Sequence, residues 1–168
     1  MQHFVPFTAS RPFVSKISYI IDHLKKVSLN SDISSRHSAA LFKKNKVLSV
    51  GYNKSIKQIN NINNNNNHSF KITVHAEVDA LYQASKKNDL RGIDIIIIRT
   101  KNLCNGQMTL RNSRPCNDCI DKMMKIGIRK VYYSDSNGDI VYEFLDSMVK
   151  THISSGRKNL KLLKNNSN

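Results

Sequence analysis

Val74-His75-Ala76-Glu77-Val78-Asp79-Ala80-Leu81 and, further on, Arg114-Pro115-Cys116-Asn117-Asp118-Cys119 decide how this chain reads. His75, Cys116 and Cys119 are residue types that bind zinc in tetrahedral sites. A structural zinc site closes with a fourth His or Cys, whereas three protein ligands leave one position open for water. The remaining cysteine, Cys104, has no Cys or His beside it to complete a closed set. Glu77 is not needed as a ligand, and a carboxylate beside an activated water can take its proton and hand it on. A Cys-x-x-Cys redox pair and a structural zinc site are the competing readings. The redox pair leaves His75 and Glu77 without a use, and a structural site has no use for Glu77.

Each motif stands at the predicted start of a helix. From His75 the chain reads HAEVDALYQASKK, with Ala76, Ala80, Leu81 and Ala84 at helical spacing. Pro115 is expected as an early helix residue, where its missing N–H costs nothing. The helix CNDCIDKMMKI then runs to Gly127, a residue suited to the left-handed position that ends a helix. Cys116 and Cys119 are three apart and share one helix face. The partial positive charge of a helix N-terminus favours thiolate over thiol. Met123, Met124 and Ile126 are expected to be core residues of that helix.

Working outward, residues 1–13 contain Pro6 and Pro12 and read as an irregular arm, with Pro12 placed to open the helix that follows. Between Val14 and Leu29 a stripe of Ile17, Ile20, Ile21, Leu24 and Val27 predicts an amphipathic helix packed on a sheet. Ser38–Leu41 and Lys46–Tyr52 read as paired strands joined by a Lys43-Lys44-Asn45 turn. Asn60–Asn67 is almost all Asn and cannot bury apolar surface, which predicts an exposed loop ahead of His75. The apolar run Ile93–Ile98 predicts a central strand covered on both faces. Lys101–Arg114, with Asn105-Gly106, reads as a loop or short hairpin leading to the cysteines. Arg111 and Arg114 are candidates to meet a substrate phosphate, with solvated surface arginines as the alternative. Val131–Ser134, the Asn137-Gly138 turn and the alternating Ile140, Tyr142 and Phe144 predict an antiparallel hairpin. A helix is expected over Leu145–Ile153. Residues 14–153 thus read as one domain, long enough for its own core, followed by a basic tail over 154–168.

The formal net charge is +15. That balance points to an anionic partner and makes nucleic acid one partner class. Lys150–Asn168 holds Lys150, Arg157, Lys158, Lys161 and Lys164 and no acid. Scattered lysines are also what a solvated surface looks like, so charge alone does not choose. No apolar run approaches the ~20 residues of a membrane span, so no membrane partner is expected. The N-terminus has no apolar core of a secretory signal. Three cysteines, two of them assigned to metal, suit a reducing compartment, and the expected location is cytoplasmic.

From about Ser38 to Phe144 the chain resembles the cytidine and deoxycytidylate deaminase superfamily. The pieces that carry the likeness are HSAALFKKNKVLSVGYN, VHAEVDAL, IDIIIIRT, RPCNDC and GIRKVYYS, in that family's order. The resemblance implies an α/β three-layer fold, a five-stranded mixed sheet flanked by helices. It implies one zinc per chain on His75, Cys116 and Cys119, with Glu77 as general acid/base. It also implies that the Ala76 N–H meets the base carbonyl and that Asn53, in Gly51-Tyr52-Asn53, meets the sugar. For Asn53 a plain turn role is the alternative. The implied activity is hydrolytic deamination of a cytosine-type nucleoside or nucleotide, by a homo-oligomer. An antiparallel final hairpin resembles the free-cytidine and blasticidin branch, while the GYN and HAE motifs resemble the deoxycytidylate and tRNA-editing branches. Two other functions stay open. One is an editing deaminase that takes an extruded base from RNA or single-stranded DNA along a basic track. The other is a non-catalytic, zinc-stabilised nucleic-acid-binding module, for which Glu77 has no role.

Overall fold

Ile95, Ile96, Ile97 and Ile98 have no solvent exposure, and the sheet is built around them. Burying each such side chain contributes roughly 1.5–3 kcal/mol. A run apolar on both sides of the pleat must be covered on both faces, and it is. The computed structural model describes residues 6–44, 46–60, 69–85 and 89–154. Its elements are β1 (Phe7–Thr8), α1 (Arg11–Ser28), β2 (Arg36–Lys43), β3 (Lys46–Tyr52), β4 (Lys54–Asn60), β5 (Ser69–Val74), α2 (Ala76–Ser85), β6 (Asp94–Asn102), β7 (Met108–Arg111), α3 (Asn117–Ile126), β8 (Lys130–Ser134) and β9 (Ile140–Phe144).

Among the described residues the main sheet runs β1-β9-β8-β6-β2-β3, and β7 pairs with the far end of β6. Strands β6 and β8 are parallel and the other pairs antiparallel, so the sheet is mixed. The expected five strands are β3, β2, β6, β8 and β9, with β1 and β7 added at the margins. The odd-numbered face of β6 packs with α2 and α3 through Ile95, Ile97, Ala80, Ile120 and Met123. The even-numbered face packs with α1 through Ile96, Ile98, Ile17, Ile20 and Leu24. The result is the three-layer α/β arrangement expected from the sequence. Strands β4 and β5 form a separate two-stranded ribbon that delivers the chain to His75.

Helix α1 has Pro12 in its first turn, as expected, and two side-chain ties to the sheet: Ser38 Oγ donates to Leu24 O at 2.8 Å, and Ser28 Oγ pairs with Thr100 Oγ1 at 2.7 Å. The hairpin over Asn137-Gly138 is present, with Gly138 at φ 91° and Asp135 Oδ1 accepting the N–H groups of Asn137 and Asp139. It joins β8 and β9 in antiparallel pairing. The expected hairpin before the cysteines is β6–β7.

Five expectations are corrected. The arm over 1–13 is not wholly irregular: Phe7 and Thr8 pair with Tyr142 and Val141, and α1 already begins at Arg11. Leu145–Ile153 is not a helix but a single 3-10 turn over Leu145–Ser147, because the carbonyls beyond it are engaged by other parts of the chain. Pro115 precedes α3 rather than lying inside it, since Cys116 is the N-cap. Met124 is 46% exposed, one step round the helix from fully buried Met123. Of the Asn60–Asn67 tract, Asn60 ends β4, paired with Ser69, rather than opening a loop; residues 61–67 and Asn45 lie outside the described residues, as does the tail beyond Ser154. No helix among the described residues is long and apolar enough to cross a membrane.

Candidate active site

His75 occupies the single position between the end of β5 and the start of α2. Helix α2 lies unusually close to β3, and Gly51 permits it. A Cβ added there would fall 2.3 Å from Ala80 N and 2.6 Å from Ala76 O. Ser49 Oγ donates to Ala80 O at 2.8 Å. The Asp79 carboxylate accepts the Tyr52 N–H at 3.2 Å and Lys54 Nζ at 2.8 Å. Depth and rotation of the first turn of α2 are therefore set by β3 and the start of β4.

The cysteines come from the opposite side. Ser113 pins their loop to the ends of two strands: its N–H donates to Ser134 O at 2.8 Å and its Oγ to Ile97 O at 2.8 Å. Cys116 follows as an extended N-cap of α3, and Cys119 lies in the helix's first turn. The ligating atoms of His75, Cys116 and Cys119 all lie within 4.8 Å of one another. His75 Nδ1 is 3.2 Å from Cys119 Sγ and 3.5 Å from Cys116 Sγ. Both cysteines are buried and neither is in a disulfide. Two thiols and an imidazole converging in this way fit zinc.

The local electrostatics suit the same use. Hydrogen bonding from Cys119, the largest influence, pulls the Cys116 thiol down to about 4. The shared hydrogen bond pushes Cys119 upward in turn, with burial acting in the same direction. Hydrogen bonding to Cys116 raises His75 above the ordinary imidazole value, against the opposing pull of burial. Glu77, one residue into α2, is 5% exposed. Burial raises its carboxyl above the usual carboxylate range, with the charge of His75 opposing. A buried carboxyl biased toward holding its proton is a group that can both accept and return one near neutral pH.

Asn53 is buried and heavily engaged. Its Oδ1 accepts from Ser31 Oγ at 2.8 Å and from the His37 N–H at 2.7 Å, and its Nδ2 donates to Ser35 O at 2.7 Å. One Nδ2 hydrogen is left over. Ala76 opens α2, where N–H groups have no intrahelical acceptor. Arg111 is exposed on β7.

Arg114 is not a surface arginine. Its guanidinium donates to both oxygens of Glu143, at 2.9 and 3.1 Å, to Val149 O at 2.7 Å and to Thr151 Oγ1 at 2.8 Å. Glu143 is 2% exposed and also accepts from Tyr133 Oη at 2.5 Å. Beside it, Asn117 exchanges two hydrogen bonds with His152, N–H to O at 3.0 Å and Oδ1 from N–H at 3.1 Å. Lys150 Nζ meets Asp121 at 2.5 Å. The stretch 149–152 is thus strapped across the start of α3, on both sides of Cys116. Sequence reasoning missed this clamp. The available signal was Glu143 itself, a lone acid in the apolar strand Ile140-Val141-Tyr142-Glu143-Phe144.

The family description that matches this chain is the cytidine and deoxycytidylate deaminase zinc-binding region, over residues 15–135. Two solved structures share the fold. One is the dCMP deaminase of cyanophage S-TIM5 in complex with dCMP and dUMP, 17% identical, with a TM-score of 0.52, covering 92% of this chain and 95% of that one. The other is the cytidine deaminase of Burkholderia pseudomallei, 17% identical, with a TM-score of 0.55, covering 81% of this chain and 98% of that one. No curated protein matches the sequence.

Proposed function

This chain belongs to the cytidine and deoxycytidylate deaminase family, and we propose that its site hydrolyses the exocyclic amine of a cytosine-type nucleoside or nucleotide, giving the uracil product and ammonia. Membership makes it a zinc-type deaminase; the substrate is the proposed part. The observation that carries the reading is the convergence of His75, Cys116 and Cys119 with a buried, proton-holding Glu77 beside them. His75, Cys116 and Cys119 would hold the zinc. Bound there, zinc would supply the acidification of a water that makes hydroxide available near neutral pH.

The chain's own residues do the rest. Glu77 takes the proton of the attacking water, delivers it to the base ring nitrogen, and then serves the amine as it leaves. Burial supports this role, because the carboxyl is kept dry and its basicity raised. The Ala76 N–H, at the start of α2, orients the base through its carbonyl. Asn53 offers its remaining Nδ2 hydrogen to the sugar, while its other bonds hold the 31–37 segment in place.

The test is an ammonia-release screen of the zinc-loaded protein over cytidine, deoxycytidine, their monophosphates, adenosine and short RNA. Turnover of a cytosine monomer is expected. In Glu77→Ala, zinc content should stay at one per chain while turnover drops by ~10²–10⁴-fold or more. Activity confined to RNA would replace this substrate class with an editing one, and near wild-type turnover in Glu77→Ala would remove the carboxylate from the chemistry.

A further inference from the structure

Where β2, β6 and β7 run side by side, His37 pairs with Arg99, and Arg99 pairs with Arg111. The three therefore form a row across the sheet. Alternation puts them on one face. Ile95 and Ile97 of β6 and Ala39 and Leu41 of β2 pack with α2 and α3, so Arg99 and His37 share their side. Leu110 of β7 packs on the α1 side, which turns Arg111 the other way, to the side of Arg99. That is the face on which His75, Glu77 and the two cysteines converge.

Two arginines directly opposite each other on neighbouring strands repel. Three other arginines are matched: Arg91 holds Asp89, Arg114 holds Glu143 and Arg129 holds Asp94. Neither Arg99 nor Arg111 has a carboxylate partner among the described residues, and Arg99 is only partly exposed. Arg36 is also without a carboxylate partner among the described residues, but it stands on the opposite face, in phase with Ser38 and Ala40.

The position of the row matters as much as its charge. Arg99 follows Ile97 by one repeat of the strand, about 7 Å along it. Ser113 Oγ is bonded to Ile97 O, so the Cys116 loop begins at that level. Asn53 follows β3, the strand against which the start of α2 is packed. It is tied directly to His37: its N–H donates to His37 O at 3.1 Å and its Oδ1 accepts the His37 N–H at 2.7 Å. The residue read as meeting the sugar is thus joined to the row of His37, Arg99 and Arg111, on the face that carries the metal-binding side chains. A phosphate borne by that sugar would meet the row.

We propose that Arg99 and Arg111, beside His37, form the subsite for the phosphate of a nucleoside monophosphate, so that the substrate is the nucleotide rather than the free nucleoside. This rests on the deaminase reading for the base and sugar end of the site. A guanidinium pair gives a phosphate monoester several charge-assisted donors and relieves the repulsion between the two arginines.

The experiment compares kcat/KM for CMP and dCMP with that for cytidine and deoxycytidine, in the zinc-loaded wild-type, Arg99→Gln and Arg111→Gln proteins. Lys26→Gln, an equal charge change exposed on α1, is the control. The monophosphate should be preferred in the wild type. The ratio of monophosphate to nucleoside should fall by about ten- to a hundredfold in either arginine variant, mainly through KM, and hold in Lys26→Gln. Calorimetric binding of CMP to each protein gives the same comparison without turnover, and Arg111→Gln, at an exposed position, serves if Arg99→Gln does not fold. Nucleosides turned over as well as nucleotides, with ratios unmoved by either variant, would overturn the phosphate subsite and leave the deaminase reading standing. Preference for a short oligonucleotide over CMP would also overturn it. If no monomer is turned over, the reading of the site as one for cytosine monomers falls, and CMP binding weakened in Arg99→Gln still supports the subsite, while binding unaffected by both variants overturns it.

Discussion

Gly51→Ala is the sharpest test of how this site is built. The added Cβ would sit 2.3 Å from Ala80 N, 2.6 Å from Ala76 O and 2.9 Å from Ala80 Cα. All three are backbone atoms of α2, so no side chain can rotate away. Ordinary contact needs roughly an ångström more at the closest of them, and α2 must lift off β3 by about that much. Overpacking of a core usually costs ~1–3 kcal/mol, and a backbone obstacle puts this substitution near the upper figure. For a chain of this length each kcal/mol moves Tm by ~2–4 °C, so a fall of about 6–12 °C is expected by thermal unfolding. The same displacement carries Ala76 and Glu77 with it while leaving the cysteines where they are. A misplacement of that size can cost ~100-fold in turnover. Ammonia release should drop far more than the residual fold would suggest, and zinc should be retained in part. A Gly51→Ala protein with Tm within a degree of wild type and unchanged turnover would refute both the close packing and its part in aiming Glu77.

Zinc analysis of the Cys116→Ala, Cys119→Ala double variant should find no bound metal; full retention would break the ligand assignment. Glu143→Ala strands the Arg114 guanidinium, whose side chain is 16% exposed, and should destabilise the fold by ~3–5 kcal/mol in urea unfolding; a change under ~1 kcal/mol would show the pair to be solvated. His37 gives a pH effect of definite sign. Burial, the largest cause, holds it down to about 4, whereas the unfolded chain titrates near ~6.5. The unfolded state therefore takes up this proton first, and the stability held above pH ~6.5 is lost as pH falls toward 4, by about 3 kcal/mol in all. His37→Asn should flatten that part of the stability profile, and an unaltered profile would mean that the His37 imidazole is open to water in the folded chain.

Much of this was legible because local chemistry agreed with long-range need. The Ile95–Ile98 run could only be a doubly covered strand, Asn137-Gly138 could only be a tight turn, and the His75 and Cys116 motifs carried their own helix starts. What could not be read was decided across the fold. Leu145–Ile153 has helical composition, but its carbonyls and amides are claimed by Arg114 and Asn117. Pro115 suits a first helical turn as well as it suits the residue before an N-cap, and only the pinning of Ser113 decides. Nothing local marks Gly51 as a point where a helix backbone presses on a strand. Arg99, in a strand otherwise defined by isoleucines, gained meaning only from the register that sets it between His37 and Arg111.

The strap across the start of α3 also bears on the order of events during synthesis. His75 leaves the ribosome early, and Cys116 and Cys119 follow, but the groups that clamp the loop carrying Cys116 — Glu143, Val149, Thr151 and His152 — come last. A nascent chain halted before Glu143 holds all three metal-binding side chains without the clamp that fixes two of them. Metal capture in its final geometry is therefore a late step, and a growing chain that meets zinc sooner would bind it through mobile thiols. A ribosome-stalled series ending before Glu143, after Phe144 and after Ser154 should show tight zinc uptake only in the longest member; equal uptake by the shortest would mean that the motifs assemble without their clamp.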